Sequence, residues 1–257
     1  PEFPRAFASR FPIAGVSVDD YSHRYVQSPD GDILGGVRFY NRDVRSPFVE
    51  VIAHTFTSLQ LLRRRVRDEW SSFRPGFLRL RTAPEQLAGE PNTRLHKSIH
   101  VARYADLRPS GGQIMLEPFD DVDRAISIVD LRYRHLRVAD PALGAILAPA
   151  DPDELREWHD HGQLFGVRVQ DQIVGVLAVV PSNVGWINGD EISEEVIDVR
   201  HNGRGYAAAA QCAWAEQIAT DQDALLIGTI HGSNTASRKT AEAAGRIRVL
   251  DDYDVAL

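Results

Sequence analysis

The feature that most constrains this 257-residue chain is a pair of glycines, Gly203 and Gly205, set between a run that reads as a strand and a run that reads as a helix. The segment is Arg200-His201-Asn202-Gly203-Arg204-Gly205-Tyr206-Ala207. Two glycines two residues apart do not continue a strand. They favour a tight turn in which positive φ costs little. Such a turn feeding a helix lets successive backbone N–H groups approach an anion with no Cβ in the way, and the helix adds the positive end of its dipole. A bare turn and helix start would have the same wording, so the flanking residues have to distinguish the two.

The flanks describe an α/β arrangement. Residues 164–169 and 173–180 are apolar, strand-like and separated by Gln170-Asp171-Gln172, which reads as a hairpin; residues 195–199 form a further strand leading into the glycines. Residues 206–219, rich in alanine, glutamine and glutamate, predict a helix, and 224–230 a strand. Asn234 can cap a helix over 235–244, Gly245 ends it, and 246–250 and 253–257 supply closing strands. Upstream, 113–118 reads as a strand. Asp120 or Asp121 can cap a helix carrying Val122, Ile126, Val129 and Leu131, and Asp151-Pro152-Asp153-Glu154 opens a shorter one.

The first hundred residues carry no comparable motif. Pro1, Pro4 and Pro12 make residues 1–20 an expected extended lead-in. Residues 23–27 and 33–40 form a hairpin around Ser28-Pro29-Asp30-Gly31. Ser46-Pro47 is expected to start a helix in which Val51, Phe56, Leu59, Leu62 and Val66 recur, ending near Phe73; strands at 77–81 and 99–107 flank a polar loop at 84–92. Arg108-Pro109-Ser110-Gly111-Gly112 is the linker candidate. The expected organisation is a lead-in (1–20), an N-terminal α/β region (21–108) and a second domain (113–257).

Composition narrows the function. A formal net charge of −7 argues against a nucleic-acid-coating protein and accommodates a cationic partner. The single cysteine, Cys212, leaves no intramolecular disulfide and makes a thiolate metal site improbable on composition, which fits a reducing compartment. Apolar runs such as 173–181 are far shorter than the roughly 20 residues a spanning helix needs, so a cytoplasmic protein with no membrane partner is expected. No metal is expected: His159 and His161 lie close but lack a third spaced ligand. Trp158, Trp186 and Trp214 read as core or rim, and Cys212, inside a helix, as inert packing.

The order hairpin, strand, glycine turn, helix, strand, Asn234-x-x-Ser237 helix and final strands resembles the GNAT superfamily, the N-acetyltransferases related to the GCN5 histone enzyme. The resemblance covers residues 113–257, with its motifs confined to 197–245. It implies a mixed, mostly antiparallel sheet flanked by helices, and acetyl-CoA as co-substrate. In the family's Arg/Gln-x-x-Gly-x-Gly/Ala signature Asn202 would take the first place, Gly205 the fourth and Ala207 the sixth, with Gly203, Arg204 and Tyr206 between. A second register starts at Arg200 and uses Gly203 and Gly205. Either way the backbone amides would hold the CoA pyrophosphate. Ile197 and Val199 would offer backbone groups to the pantetheine and polarise the thioester carbonyl, while Asn234 and Ser237 would touch the pantetheine arm. The chain departs from the pattern at Ala241, where the family often has a tyrosine that protonates the departing thiolate, and at Arg246, where a phenylalanine is usual. Ser237, Tyr253 or water would have to supply that proton.

An acetyl acceptor must be a neutral amine, which calls for a base beside the thioester. Glu194 or Glu195 is the candidate, the two facing opposite sides of the strand by alternation; the same acids read equally as solvated edge carboxylates. With Asp190 and Glu191 they form an acidic cluster suited to a cationic amine. The implied reaction is acetyl transfer to a small-molecule or peptide amine. A non-catalytic acyl-CoA-binding module and an acyltransferase using a longer acyl-CoA are the alternatives. The order of elements in 21–108 also resembles the second half of the same fold and suggests a degenerate GNAT-like copy. Oligomeric state is not legible in the sequence.

Overall fold

The computed structural model describes residues 2–257. In chain order its main elements are α1 (Glu2–Arg10), β1 (Arg24–Val26), β2 (Ile33–Phe39), β3 (Pro47–His54), α2 (Leu59–Glu69), β4 (Phe77–Thr82), β5 (Thr93–Arg103), β6 (Met115–Pro118), α3 (Val122–Ala139), α4 (Pro141–Gly144), α5 (Pro152–Asp160), β7 (Leu164–Val169), β8 (Gln172–Val184), β9 (Ile187–Ile197), α6 (Tyr206–Gln217), β10 (Leu225–His231), α7 (Thr235–Ala244) and β11 (Ile247–Ala256). Two compact units result, residues 1–97 with 250–257, and residues 98–249. The chain therefore changes unit inside β5 and again inside β11. Residues 108–112 lie within the second unit, where Ser110 is held by Glu216 through its backbone N–H (2.9 Å) and its hydroxyl (2.5 Å).

In the first unit β1, β2 and β3 are antiparallel, β4 runs parallel to β3, and β11 pairs antiparallel with β4 from Asp251↔Thr82 to Ala256↔Phe77. The core gathers Trp70, Leu62 and Val66 from the α2 side against Val49, Val51, Leu78 and Val255. Two expectations fail here. Residues 2–10 are helical rather than extended: Pro4 falls in the first turn, where its missing N–H is no loss, and Phe7 and Phe11, one turn apart, pack on Phe39 at ring distances of 5.6 and 5.1 Å. Residues 47–54 are a strand, not the start of a helix. β-branched Val49, Val51 and Ile52 suit the pleat, and the helix waits for Ser58, whose hydroxyl accepts from the Leu61 N–H (3.4 Å).

The second unit is an α/β (α+β) structure with a mostly antiparallel sheet. β6, β7, β8 and β9 form an antiparallel series, β10 adds parallel to β9, and β5 lies beside β10. Helices cover both faces. α6 places Ala210, Ala213 and Trp214 on Val167, Leu177, Val179 and Ile197, while α3 and α5 place Ala125, Val129 and Leu155 on Leu164, Val176, Ala178 and Val196. Both units repeat one succession: an antiparallel hairpin, a helix, then a strand parallel to the hairpin's second strand (β2-β3-α2-β4 and β8-β9-α6-β10).

Strand β9 begins eight residues earlier than the apolar pattern indicated, because its first half is polar and half-buried on a long hairpin turned at Gly185 and Trp186. Trp186 itself is 71% exposed, neither core nor rim of the fold's interior. The closing strands expected at 246–250 and 253–257 are one continuous strand. No helix among the described residues is long and apolar enough to cross a membrane.

Candidate functional site

The site is built where β9 and β10 part. Their parallel ladder pairs Asp190 with Leu226 and Glu191 with Ile227 and ends there. Beyond it a cavity of about 170 Å3 is lined by Ser193, Glu194 and Glu195 of β9, by Gly228, Thr229 and Ile230 of β10, and by Tyr133, Asn234, Ser237 and Arg246. A bulge helps to shape this wall. The β8–β9 ladder passes from Ala178↔Glu194 to Val179↔Ile192, leaving Ser193 as the extra residue on β9.

Below the gap β9 ends at Ile197, and Asp198 caps a short turn, with its side chain accepting from the Arg200 N–H (2.9 Å). Gly203 and Gly205 follow at φ +74° and +76°, and a Cβ built on either meets no atom within 4 Å. Both glycines are thus required by backbone conformation and leave an open cradle in front of the N-terminus of α6, whose Ala209 N–H is the first seen to bond back, to Gly205 O (3.0 Å). A cavity of about 440 Å3 runs along this cradle, lined by Ile197, Asn202, Gly203, Gly205, Tyr206, Ala207 and Ser237, and by Arg132, His201 and Lys239. These are the parts an anion needs: free amides, a helix N-terminus and cations. A third cavity of about 320 Å3 lies against Arg132, Tyr133, Leu136, Leu147, Asn234 and Ser237. Glu195 and Ser237 line all three.

Most of the residues singled out in the sequence come together here, with exceptions. Val199 is not on the strand; it starts the turn after Asp198, and its carbonyl accepts from the Asn202 N–H (3.3 Å). Arg204 does not line the cradle, and Arg200 is turned onto Asp198 (2.6 Å). The Asn234 side-chain oxygen is used to cap α7, accepting from the Ser237 N–H (3.1 Å). Asp190 accepts from the Tyr104 hydroxyl (2.5 Å), and Glu191 from Ser182 (2.8 Å) and Thr229 (2.9 Å), so both carboxylates serve packing instead of forming an exposed acidic cluster. Tyr253 belongs to the first unit. His159 and His161 each bond a backbone carbonyl, Phe119 O and Glu157 O, at 2.8 Å.

The two glutamates differ as alternation predicts. Glu194 is 4% exposed on the α3 side, and its oxygens accept from the Tyr133 hydroxyl (3.2 Å), the Ala150 N–H (2.9 Å) and the Glu195 N–H (3.1 Å); burial still holds its carboxyl above the usual range. Glu195 turns to the α6 side, where the Gln211 amide donates to both its oxygens (2.9 and 3.0 Å). Burial pushes its carboxyl up to about 7 against the opposing pull of Gln211 and the Arg246 charge. Burial likewise raises the Cys212 thiol to about 11, which makes it a poor nucleophile. Sequence reasoning missed Tyr133, Arg132 and Lys239. They lie on helices whose periodicity gives no sign of which exposed face meets the sheet edge.

The first unit has a cavity of about 480 Å3 between Phe7, Phe11, Phe39 and Phe48 with Arg10, Arg38 and Arg42, but its described lining includes no glycine turn and no helix start.

No protein-family model and no curated protein matches this chain. Among solved structures it is similar to an acetyltransferase of the GNAT family from Colwellia psychrerythraea, at a TM-score of 0.55 and 10% identity, over 100% of this chain and 95% of that one. The fold is the GNAT fold. A GCN5-related N-acetyltransferase from Sphaerobacter thermophilus superposes more loosely, at a TM-score of 0.47 and 13% identity over 100% of this chain and 93% of that one. At such identities the likeness is one of architecture, and the chemistry has to be read from the site itself. On the GNAT fold of this chain the glycine cradle and the gap between β9 and β10 are joined through Glu195 and Ser237.

Proposed function

We propose that the chain is an N-acetyltransferase that moves an acetyl group from acetyl-CoA to an amine by direct attack. The observation that carries this reading is the position of Glu195, whose carboxyl is pushed to about 7 where the anion cradle meets the polar gap. The residues present fit the co-substrate: the cradle left open at Gly203 and Gly205 would take the pyrophosphate on the amides of 205–207, with Arg132 and Lys239 beside it. Bound there, acetyl-CoA supplies an activated thioester. Glu195 takes a proton from the acceptor ammonium, and the neutral nitrogen forms the C–N bond as the C–S bond breaks, the electron pair leaving with sulfur. Backbone N–H groups on the open edge of β9 polarise the carbonyl. As the amide forms the nitrogen sheds its second proton, and Ser237, which lines the cradle and the gap alike, is placed to relay that proton to sulfur directly or through water.

A non-catalytic acyl-CoA-binding module is favoured by one observation: Ala241, at the position of the family's usual tyrosine, is wholly buried and supplies no donor. The first unit is in this proposal a degenerate copy of the second, since it repeats the hairpin, helix and parallel strand but joins β3 to α2 through Thr55-Phe56-Thr57-Ser58, without glycine.

Calorimetric titration with acetyl-CoA and CoA tests the reading. Binding that Gly205→Glu abolishes, with circular dichroism unchanged, supports it; absence of binding by the wild-type chain overturns it. Turnover with an amine panel separates enzyme from module, and a panel of longer acyl-CoA donors fixes the acyl group.

A further inference from the structure

Arg246 is the least expected residue of the site. It is 3% exposed, and its Nη1 has no hydrogen-bond partner although the atom is buried. Its Nε donates to the Gln211 side-chain oxygen (3.0 Å), the same carboxamide whose nitrogen holds Glu195 (2.9 and 3.0 Å), so the cation and the base are set one amide apart. Among the described residues no carboxylate pairs directly with the guanidinium, and the charge that acts on it, that of Glu195, stands across the Gln211 amide. Space has been made for it: a Cβ at Gly228 would collide with Nη1, while the Gly228 backbone does not need glycine for its conformation. A buried cation on a residue that lines a polar cavity is costly unless an anion completes it. The cavity holds about 170 Å3, well under the roughly 300 Å3 at which drug-sized ligand pockets begin. It is the room of a few waters or of one small polar molecule.

We propose that the acceptor is a small free amino acid, its carboxylate paired with the Arg246 guanidinium and its ammonium directed at Glu195. The proposal rests on the acetyltransferase reading and deepens it. A group with its cation and anion one or two carbons apart spans the Gln211 amide, and each end meets its complement: the ammonium a base, the carboxylate a buried cation. A monoamine without an anionic group would leave Arg246 buried and unpaired, and a peptide N-terminus has its first carboxyl tied up in an amide.

The test uses the full chain with saturating acetyl-CoA and matched acceptors: glycine, L-alanine and L-serine against glycinamide, L-alaninamide and L-serinamide, reading thiol release. The expected preference for the carboxylates is about 10- to 100-fold in kcat/KM, the factor of one charge-assisted hydrogen bond. Arg246→Met should erase that preference through KM, with acetyl-CoA titration as the control for folding. Equal or better turnover of the amides, or a preference that survives in Arg246→Met, overturns the proposal while leaving the acetyltransferase reading intact. Failure of the wild-type chain to bind acetyl-CoA sinks both. The comparison of acceptors does not depend on how the variant folds.

Discussion

At the scale of single residues, two neighbouring glutamates show how environment divides one chemistry. Glu194 has its lone pairs taken by Tyr133, Ala150 N–H and Glu195 N–H, whereas Glu195 is held only by Gln211. A general base must be ionised to act, and burial puts the Glu195 carboxyl at about 7, so kcat/KM should rise with pH through about 7 and level off above it. Glu195→Gln should remove that inflection and lower kcat/KM by roughly 10²- to 10⁴-fold. Glu194→Gln should keep the inflection. If the two variants behave alike, the division between them is wrong. In the proposed reaction Gln211 would act on the base rather than on the substrate. Its hydrogen bonds favour the ionised carboxylate, so Gln211→Leu should move the inflection to higher pH, a shift that a purely structural role would not produce. Linkage adds a stability signature. The unfolded chain releases the Glu195 proton near 4.5 and the folded chain near 7, so the stability this group lends at acid pH is lost as pH rises across that interval.

At the scale of elements, the site depends on strands that stop pairing. β9 and β10 pair at Asp190 and Glu191 and then diverge, and the bulge at Ser193 falls where the gap opens. Across the gap β10 is fitted to the second residue after α7: Gly228 leaves the volume that Arg246 fills. Gly228→Ala should therefore overpack the site and destabilise the chain by about 1–3 kcal/mol, a Tm loss of several degrees for a protein of this size. In an Arg246→Met background the same change should cost less, and a double-mutant cycle measures the difference. Additive effects would mean that the two residues are not packed as described. The glycine turn, α6, α7 and its Asn234 cap were legible because turn and cap chemistry is local and written in residue type. The parting of β9 and β10 was not, since strand separation depends on a ladder that no single segment encodes. Nor was the polar first half of β9, where the half-buried Ser182-to-Ser193 hairpin has no apolar alternation to read. Arg246 stood out in the sequence only as a departure from a pattern; its meaning needed Gly228 and Gln211 beside it.

At the scale of the whole molecule, two units repeat one topology and only the second joins its hairpin to the following helix through glycines. The first unit turns from β3 into α2 through Thr55-Phe56-Thr57-Ser58, and side chains at each of these positions replace the open cradle of Gly203 and Gly205. Calorimetry should accordingly find one acetyl-CoA per chain, and Ser58→Glu, at the corresponding helix start, should leave that affinity unchanged where Gly205→Glu removes it. Two sites per chain, or loss of binding in Ser58→Glu, would show the first unit to be a working copy. Its stability, by contrast, depends on residues 250–257. Val255 is fully buried in its core, and Asp252 and Asp254 pair with Arg81 (2.7 Å) and Arg79 (2.9 Å) across β4. Asp254 is 6% exposed and also pairs with Arg94 (3.1 Å), whose side chain is 67% exposed, so Asp254→Ala leaves chiefly the Arg79 guanidinium, 17% exposed, without its anion. Breaking a buried ion pair from one side costs roughly 3–5 kcal/mol, against about 0–1 kcal/mol for an exposed pair. Because the affected contacts lie within the first unit, Asp254→Ala should raise protease sensitivity in residues 1–97 well before it changes acetyl-CoA affinity. A variant that loses acetyl-CoA binding in step with its first unit would instead make the folding of that unit a condition of the site.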